Sequence, residues 1–570
     1  MTRLALVALL AACATQPGPG IDVDRAMADV HALVAIGPRV HDTPGAAAAA
    51  AYIERELAAM PVEHVPVGDV TLPAIDVLGE HVRDAESVHT GDPDLVVRFG
   101  PKSGRALLVM AHYDTVPTSP GAVDNAAAVA VALELARIYA VQPPSHPVMI
   151  AFTADEEGGL VGAEALASRR GDDVEFAIAL DLIGGSGELS LNGASALIGD
   201  SELRWLARAA DRAGVVLRAP LPHRVVSRWW PQAERADHGA FTRRGIRAIH
   251  FYDRGQDGEW IDLAYHSRYD VASRVDPSSL EEVGRLLRAL ADEPPPPHDG
   301  DGFWLPLAHN VVVPRWTLVA FEIVLAIIAI VGLIGLARAG RVLPPQRGAG
   351  AIGGIVALAV AGAATYGVER LASRGHPMPW IHDPARALAC EALVLAGTLG
   401  LATRAIARFL PWSGSRRYLA AGIAWSLALG TALVAIDAPE LAWIWLVPAA
   451  ALAIAPRLGA ARVIAVIASA LPLVLVLAPN QLREAAWNGF LPSAVPLAGW
   501  LVALGAPLLA GMAWWFRSRH TSALGTLVLA LGCALSVAVG ASVLAVSEPR
   551  CTALEFSRLQ LACERSAIWP

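Results

Sequence analysis

Six residues in the first half of the chain, His112, Asp124, Glu156, Glu157, Asp181 and His266, have side chains that could do chemistry together. Each stands at the end of an apolar run or in the loop beyond one. Leu107-Leu-Val-Met-Ala runs into His112-Tyr-Asp114. In extended chain, residues two apart point the same way, so His112 and Asp114 share a face at the end of a strand. A Gly/Pro-rich loop then leads to Asp124-Asn125. Pro147-Val-Met-Ile-Ala-Phe-Thr153 is followed by Glu156-Glu157, and Phe176-Ala-Ile-Ala-Leu180 by Asp181. Tyr265-His266 lies in a late loop. Adjacent residues of extended chain point in opposite directions, so one of Glu156 and Glu157 can ligate a metal while the other faces substrate as a base. His112, Asp124, Glu157, Asp181 and His266 together offer two imidazoles and three carboxylates, an N/O donor set suited to Zn²⁺. With one carboxylate bridging, such a set holds two zinc ions about 3.5–4 Å apart.

Strand-like and helix-like segments alternate around these residues. Helices are expected over 24–36, 44–60, 124–140, 160–170, 202–213 and 280–291. Strands are expected between 72 and 98 and over 106–111, 147–153, 176–180 and 247–252. The alternation predicts an α/β domain of three layers, helices on both faces of a mixed, mainly parallel sheet. In such sheets ligands bind beyond the strand ends, where all six residues fall.

The ordered set resembles peptidase family M28, the co-catalytic di-zinc exopeptidases. The resemblance rests on His112-Tyr-Asp114, on Asp124-Asn125 twelve residues after His112, and on Glu156-Glu157-Gly-Gly-Leu-Val-Gly162. Ala179-Leu-Asp181-Leu-Ile-Gly and Tyr265-His266 complete it, over about residues 20–292. It implies that His112 and Asp181 bind one zinc, that Glu157 and His266 bind the other, and that Asp124 bridges them. Asp114 would accept a hydrogen bond from the other ring nitrogen of His112. Glu156 would be the general base, and Tyr265 would stabilise the oxyanion. Two departures stand out. Ala126-Ala-Ala128 and Ala236-Asp237-His238 replace segments where the family carries Ser or Gly. Neither removes a ligand.

Composition divides the chain. Of its 570 residues 54% are hydrophobic and only 17% charged, and the excess of apolar residues lies beyond Trp316. Residues 316–546 hold eight candidate spans, at about 316–337, 349–369, 387–403, 418–436, 440–455, 461–478, 494–515 and 523–546, which predicts an all-α polytopic membrane domain. Loops after the odd spans carry eleven arginines, among them Arg338, Arg404, Arg416 and Arg517; loops after the even ones carry Arg370, Arg374, Arg386 and Arg483. The positive-inside rule puts the odd loops in the cytosol and the first 292 residues outside. The N-terminus agrees: Arg3, a short apolar core and small residues make residues 1–19 a signal peptide. Leu10-Ala11-Ala12-Cys13 also resembles a bacterial lipobox. Glu293-Pro-Pro-Pro-Pro-His-Asp-Gly-Asp-Gly302 reads as a stiff linker, and 303–315, with Trp304 and Trp316, as an interfacial segment. Residues 547–570 form an outer tail in which Cys551 and Cys563 can pair.

Together with the resemblance, which implies the peptidase activity, these observations imply a membrane-anchored zinc peptidase facing away from the cytosol, in a bacterial plasma membrane. It is expected to remove N-terminal residues from peptides, with two Zn²⁺ per chain. Its partners are peptides and the lipid bilayer. A net charge of −8 without basic patches among aromatics argues against nucleic acid. Two other readings share the sequence: glutaminyl-cyclase-like or carboxypeptidase chemistry on the same fold, or a peptide-capturing domain of a transporter or receptor. His31, His41, His146, His223 and His250 read as surface or core residues, and His238 as a support for the site. Trp229-Trp230 read as core, interface or pocket lining. Glu322 and Glu391 fall within spans as buried carboxylates, candidates for function or for pairing inside the bundle.

Overall fold

The computed structural model describes residues 20–339 apart from 73–74, 78–79, 84, 186–188, 195–197, 218–235, 254–263, 299–301 and 305–309. Beyond these it describes residues 363, 416–435, 441–459, 462–469, 471–472 and 507. The chain divides into two compact units, Met1–Arg315 and Trp316–Pro570.

In the first unit two helices come first, α1 (Val23–Ile36) and α2 (Pro44–Glu56). Asp22 caps α1, its side chain accepting from the backbone N–H of Arg25. Pro44 opens α2, where its missing N–H costs nothing. Strands β1 (Glu63–Leu72) and β4 (Glu86–Phe99) form a long antiparallel pair, with a small hairpin of β2 (Ile75–Val77) and β3 (Glu80–Arg83) between them in sequence. Then follow β5 (Ala106–His112), α3 (Ala127–Val141), β6 (Val148–Thr153), α4 (Val161–Arg170), β7 (Val174–Leu180) and β8 (Leu189–Ala194). The unit continues with α5 (Asp200–Ala213), α6 (His238–Thr242), β9 (Ala248–Asp253), α7 (Pro277–Ala291) and a hairpin of β10 (Gly302–Trp304) and β11 (Val312–Pro314).

Among the described residues seven strands form one sheet in the order β1-β4-β6-β5-β7-β9-β8. Pairs β6–β5, β5–β7 and β7–β9 are parallel, while β1–β4, β4–β6 and β8–β9 are antiparallel. The sheet is therefore mixed, as expected, but parallel only in its four central strands. Those strands are covered on both sides, so they read as unbroken apolar runs rather than alternating ones. Leu107, Val109 and Ala111 face a core shared with α1, α2, α3, α5 and α7. Ala106, Leu108 and Met110, one residue out of phase, face α4 and α6. Three layers result.

Two segments differ from expectation. The helix after Asp124 begins at Ala127; residues Ala122–Ala126 make a wide turn in which Asp124 and Asn125 have non-helical dihedrals. The Pro-rich stretch after α7 is anchored. The carbonyls of Pro296 and Pro297 accept from Arg247 and Ser201, and Glu293 pairs with Arg208 and Arg212. Trp304 is buried against the domain rather than exposed at an interface.

In the second unit α8 (Arg315–Ala339) contains a 24-residue apolar stretch, Arg315–Arg338, of mean hydropathy 2.8. At 1.5 Å per residue this is long enough to cross a bilayer. Among the described residues it is the one such helix. Helices α9 (Arg416–Ala435), α10 (Ala442–Ile454) and α11 (Arg462–Ala468) fall on three other expected spans. Glu322, within α8, is buried and accepts from the backbone N–H of Trp443 at the start of α10 (3.1 Å). The spans expected at 349–369, 387–403, 494–515 and 523–546 lie, almost entirely, outside the described residues. So do the signal peptide, His223, Trp229-Trp230, Glu391, all five cysteines and the tail.

Candidate metal centre

The parallel strands β5, β6 and β7 lie side by side in register, with His112 opposite Thr153 and Met110 opposite Ala179. Their C-terminal ends therefore come together, which sets His112, Glu156-Glu157 and Asp181 around one point. Asp124 arrives from the turn before α3, and His266 from the loop before α7. Nε2 of His112 lies 3.4 Å from Asp124 Oδ1 and 3.5 Å from Asp181 Oδ1. Nε2 of His266 lies 3.3 Å from Asp124 Oδ2 and 3.0 Å from Glu157 Oε2. The two oxygens of Asp124 thus face different imidazoles, as a bridging carboxylate requires.

Two groups have ligand atoms mutually within 4.8 Å: His112, Glu156 and Asp181, and Asp124, Glu157 and His266. Both nitrogens of His112, Oε1 of Glu157 and Oδ1 of Asp181 are buried without a hydrogen bond in the protein. Buried polar atoms are rarely left so. Divalent ions between the groups would satisfy Nε2 of His112 and the two carboxylate oxygens, leaving Nδ1 to Asp114, and the N/O donor set fits zinc.

Asp114 ties the pieces together. Its Oδ1 accepts from the backbone N–H of Glu156 and its Oδ2 from that of Glu157, each at 3.0 Å. Its Oδ1 also lies 3.4 Å from Nδ1 of His112. One carboxylate thus orients the histidine of one group and the backbone of both glutamates. Asn125 reaches the other way, donating to the carbonyl of Leu180 (2.8 Å) just before Asp181.

The metal-free electrostatics follow from packing acids around buried imidazoles. Burial raises Glu156 well above the usual carboxylate range, and Asp181 and Glu157 add to this against the pull of His112. Burial and Asp124 push Glu157 up to about 7. Burial alone would lower the two histidines. Glu156 and the neighbouring aspartates instead raise His112, and Glu157 and Asp124 bring His266 to about 10. The ring of Tyr265 stacks on that of His266 (centroids 3.7 Å apart, 17° between planes). Burial, then Asp124 and Glu157, keep its hydroxyl protonated, a donor throughout the working pH range.

The other sequence candidates take lesser places. His250 is buried, its Nε2 3.4 Å from the carbonyl of Asp181, and His238 stacks on it at 5.5 Å, so both stand behind Asp181. Asp237 accepts from Thr153. His31 is exposed, His146 buried and His41 half-buried, with its Nδ1 3.7 Å from Asp155.

The sequence reading missed two residues. Arg39, fully buried, donates to the carbonyls of Tyr113, Pro120 and Gly121 around the turn that carries Asp124. Asp270, equally buried, accepts from the backbone N–H groups of Val123 and Asp124. An isolated arginine some eighty residues upstream carries no local signal. Asp270 had one, four residues after His266 in the same loop.

Residues 94–291 match peptidase family M28. Aminopeptidase YwaD of Bacillus subtilis is 31% identical over 196 residues, covering 32% of this chain and 40% of its own length. A probable zinc metalloprotease of Pyricularia oryzae is 30% identical over 308 residues, 47% of this chain and 61% of that one. A vacuolar membrane protease of Schizosaccharomyces japonicus is 43% identical over 74 residues, 13% of this chain and 9% of that one. The chain spans about half the length of the first curated relatives it matches.

Proposed function

We infer that the chain, whose residues 94–291 match peptidase family M28, is a zinc-dependent metallopeptidase, anchored in a membrane, that removes N-terminal residues from peptides. The observation that carries this reading is Asp124, whose two oxygens face His112 and His266, with Asp181 beside the first imidazole and Glu157 beside the second. His112 and Asp181 would hold one zinc, Glu157 and His266 the other, and Asp124 both. Zinc held by these residues would lower the pKa of a bound water and polarise the scissile carbonyl.

The chain's own residues do the rest. Glu156, buried beside His112 and Asp181, is placed to take a proton from the attacking water and pass it to the leaving amine. Asp114 fixes the backbone from which Glu156 projects and the ring of His112. Tyr265 donates its hydroxyl to the oxyanion as the carbonyl becomes tetrahedral. A carboxylate placed between two imidazoles, each with its own further acid, favours this over single-metal cyclase chemistry. Membrane anchoring is supported by α8, whose Phe321, Ile323, Ile327 and Val331 are about half exposed, as lipid-facing residues would be, and by the name of the vacuolar membrane protease. We take residues 20–292 as the peptidase domain, outside the cytosol, and the region beyond 316 as the membrane domain.

The test is Glu156→Gln in the full chain. Hydrolysis should fall by about 10² to 10⁴ while bound zinc is unchanged. An active variant would remove Glu156 from the chemistry.

A further inference from the structure

The loop from Tyr113 to Gly121 leaves strand β5 and belongs to no strand, yet it must deliver Asp124 to within ångströms of two imidazoles. Two fully buried charges hold it. From one side, Arg39 spreads its guanidinium over backbone carbonyls: Nε donates to Tyr113 (2.8 Å), Nη1 to Pro120 (2.6 Å) and Nη2 to Gly121 (3.0 Å). Its own N–H donates to the hydroxyl of Thr115 at 2.8 Å, and its carbonyl accepts from the N–H of Thr115. Gly121 has φ +63°, and a Cβ there would collide with the Arg39 guanidinium and the carbonyl of Asp124. From the other side, Asp270 collects three successive N–H groups. Its carboxylate accepts from Val123 (2.8 Å) and Asp124 (3.1 Å), and its carbonyl from Ala122 (3.2 Å). Asp270 lies four residues after His266, so it joins the backbone of the bridging residue to the loop of a terminal ligand.

Burying an arginine among carbonyls carries a desolvation cost that an apolar side chain of similar volume would avoid. What the charge provides here is a rigid five-donor fork on the one loop whose position decides whether Asp124 bridges. We propose that Arg39 and Asp270 are positioning residues that hold Asp124 in its bridging pose and thereby make the centre take two metal ions rather than one. This rests on the two-zinc reading of the site. Without the collar, Asp124 stays within reach of His112, because the short loop cannot carry it away. Its second oxygen loses its fixed aim at His266, so the second ion binds weakly.

The experiment uses the full chain in detergent, stripped with a chelator and titrated with Zn²⁺ by calorimetry, with bound metal counted by elemental analysis. Wild type, Arg39→Lys and Asp270→Asn are compared, and far-ultraviolet circular dichroism checks folding before zinc is added. Wild type should take two equivalents. Both variants should keep the first within about threefold and bind the second about 10- to 100-fold more weakly, the usual cost of losing a group that orients a ligand. Their kcat should fall with little change in KM. Folded variants that take both equivalents at wild-type affinity would overturn the proposal. So would loss of folding in both metal-free variants, which would assign the pair to the fold. Should Arg39→Lys alone fail to fold, Asp270→Asn decides, because it leaves every Arg39 bond in place. A wild-type chain that takes fewer than two zincs instead removes the two-metal reading itself.

Discussion

Stripping the metal should make the stability of this protein depend on pH in a way the loaded form does not. In the metal-free centre Glu157 and Asp124 raise His266 from its ordinary 6.5 to about 10, against the effect of burial. A group raised on folding binds its proton more tightly in the folded state. The stability it contributes is complete below pH 6.5 and is lost as the pH climbs through 10. His112 is shifted in the same direction. Glu157, pushed up to about 7, and Asp270, also up to about 7, have the same sign at lower pH. At about 1.4 kcal/mol per pH unit the His266 shift alone sets a ceiling of roughly 3 kcal/mol lost between pH 6.5 and 9. The ring shares its proton with two carboxylates, so about 2 kcal/mol is the working figure. For a domain of this size that is about 4–8 °C in Tm. Metal binding requires neutral imidazoles and ionised carboxylates, so the zinc-loaded centre has no such protons to lose. Thermal unfolding of the full chain, followed by circular dichroism with and without zinc at pH 6.5, 7.5 and 9, should show the gap between the two forms widening as pH rises. A gap that stays constant or narrows would refute the placement of two protonated histidines among these acids.

Two further expectations come from other parts of the domain. If Tyr265 is the oxyanion donor proposed above, Tyr265→Phe should lower kcat about 10²-fold with KM within about twofold; steady-state kinetics on one peptide series measures both. Glu134 is buried in α3 and accepts from Arg25 (2.9 Å) and Arg137 (2.6 Å) and from the backbone N–H of Asp22. Glu134→Ala leaves those cations without it and should cost about 3 kcal/mol, read as a lower melting temperature with zinc content unchanged.

Much of the centre was legible because its residues are local signals. His112, Glu156-Glu157 and Asp181 each end an apolar run, and parallel strands bring their C-terminal ends together whatever the rest of the sequence says. What escaped was non-local. Arg39 acts on a loop more than seventy residues away, and only the folded chain shows that its fork fits those carbonyls. The edges of the sheet were misread for a related reason. Strand β1 alternates buried and exposed residues and β8, Leu189-Ser-Leu-Asn-Gly-Ala194, mixes apolar with polar residues and a glycine, so neither carries the buried, unbroken pattern of β5 or β6. Trp304 looked like an interfacial aromatic because the composition of a linker does not reveal that a hairpin will dock on a helix. The first span, by contrast, needed only its run of apolar residues to be placed at α8.

A zinc aminopeptidase must hydrolyse free-amine peptides, and only with its metal. The direct measurement is turnover by the purified full chain on a panel of aminoacyl amides beside N-blocked peptides, with zinc, with a chelator, and after zinc is restored. Cleavage of the free-amine substrates alone, abolished by the chelator and recovered with zinc, is the predicted result. Turnover that survives removal of zinc, or a folded chain with two zincs that cleaves none of the panel, would contradict it.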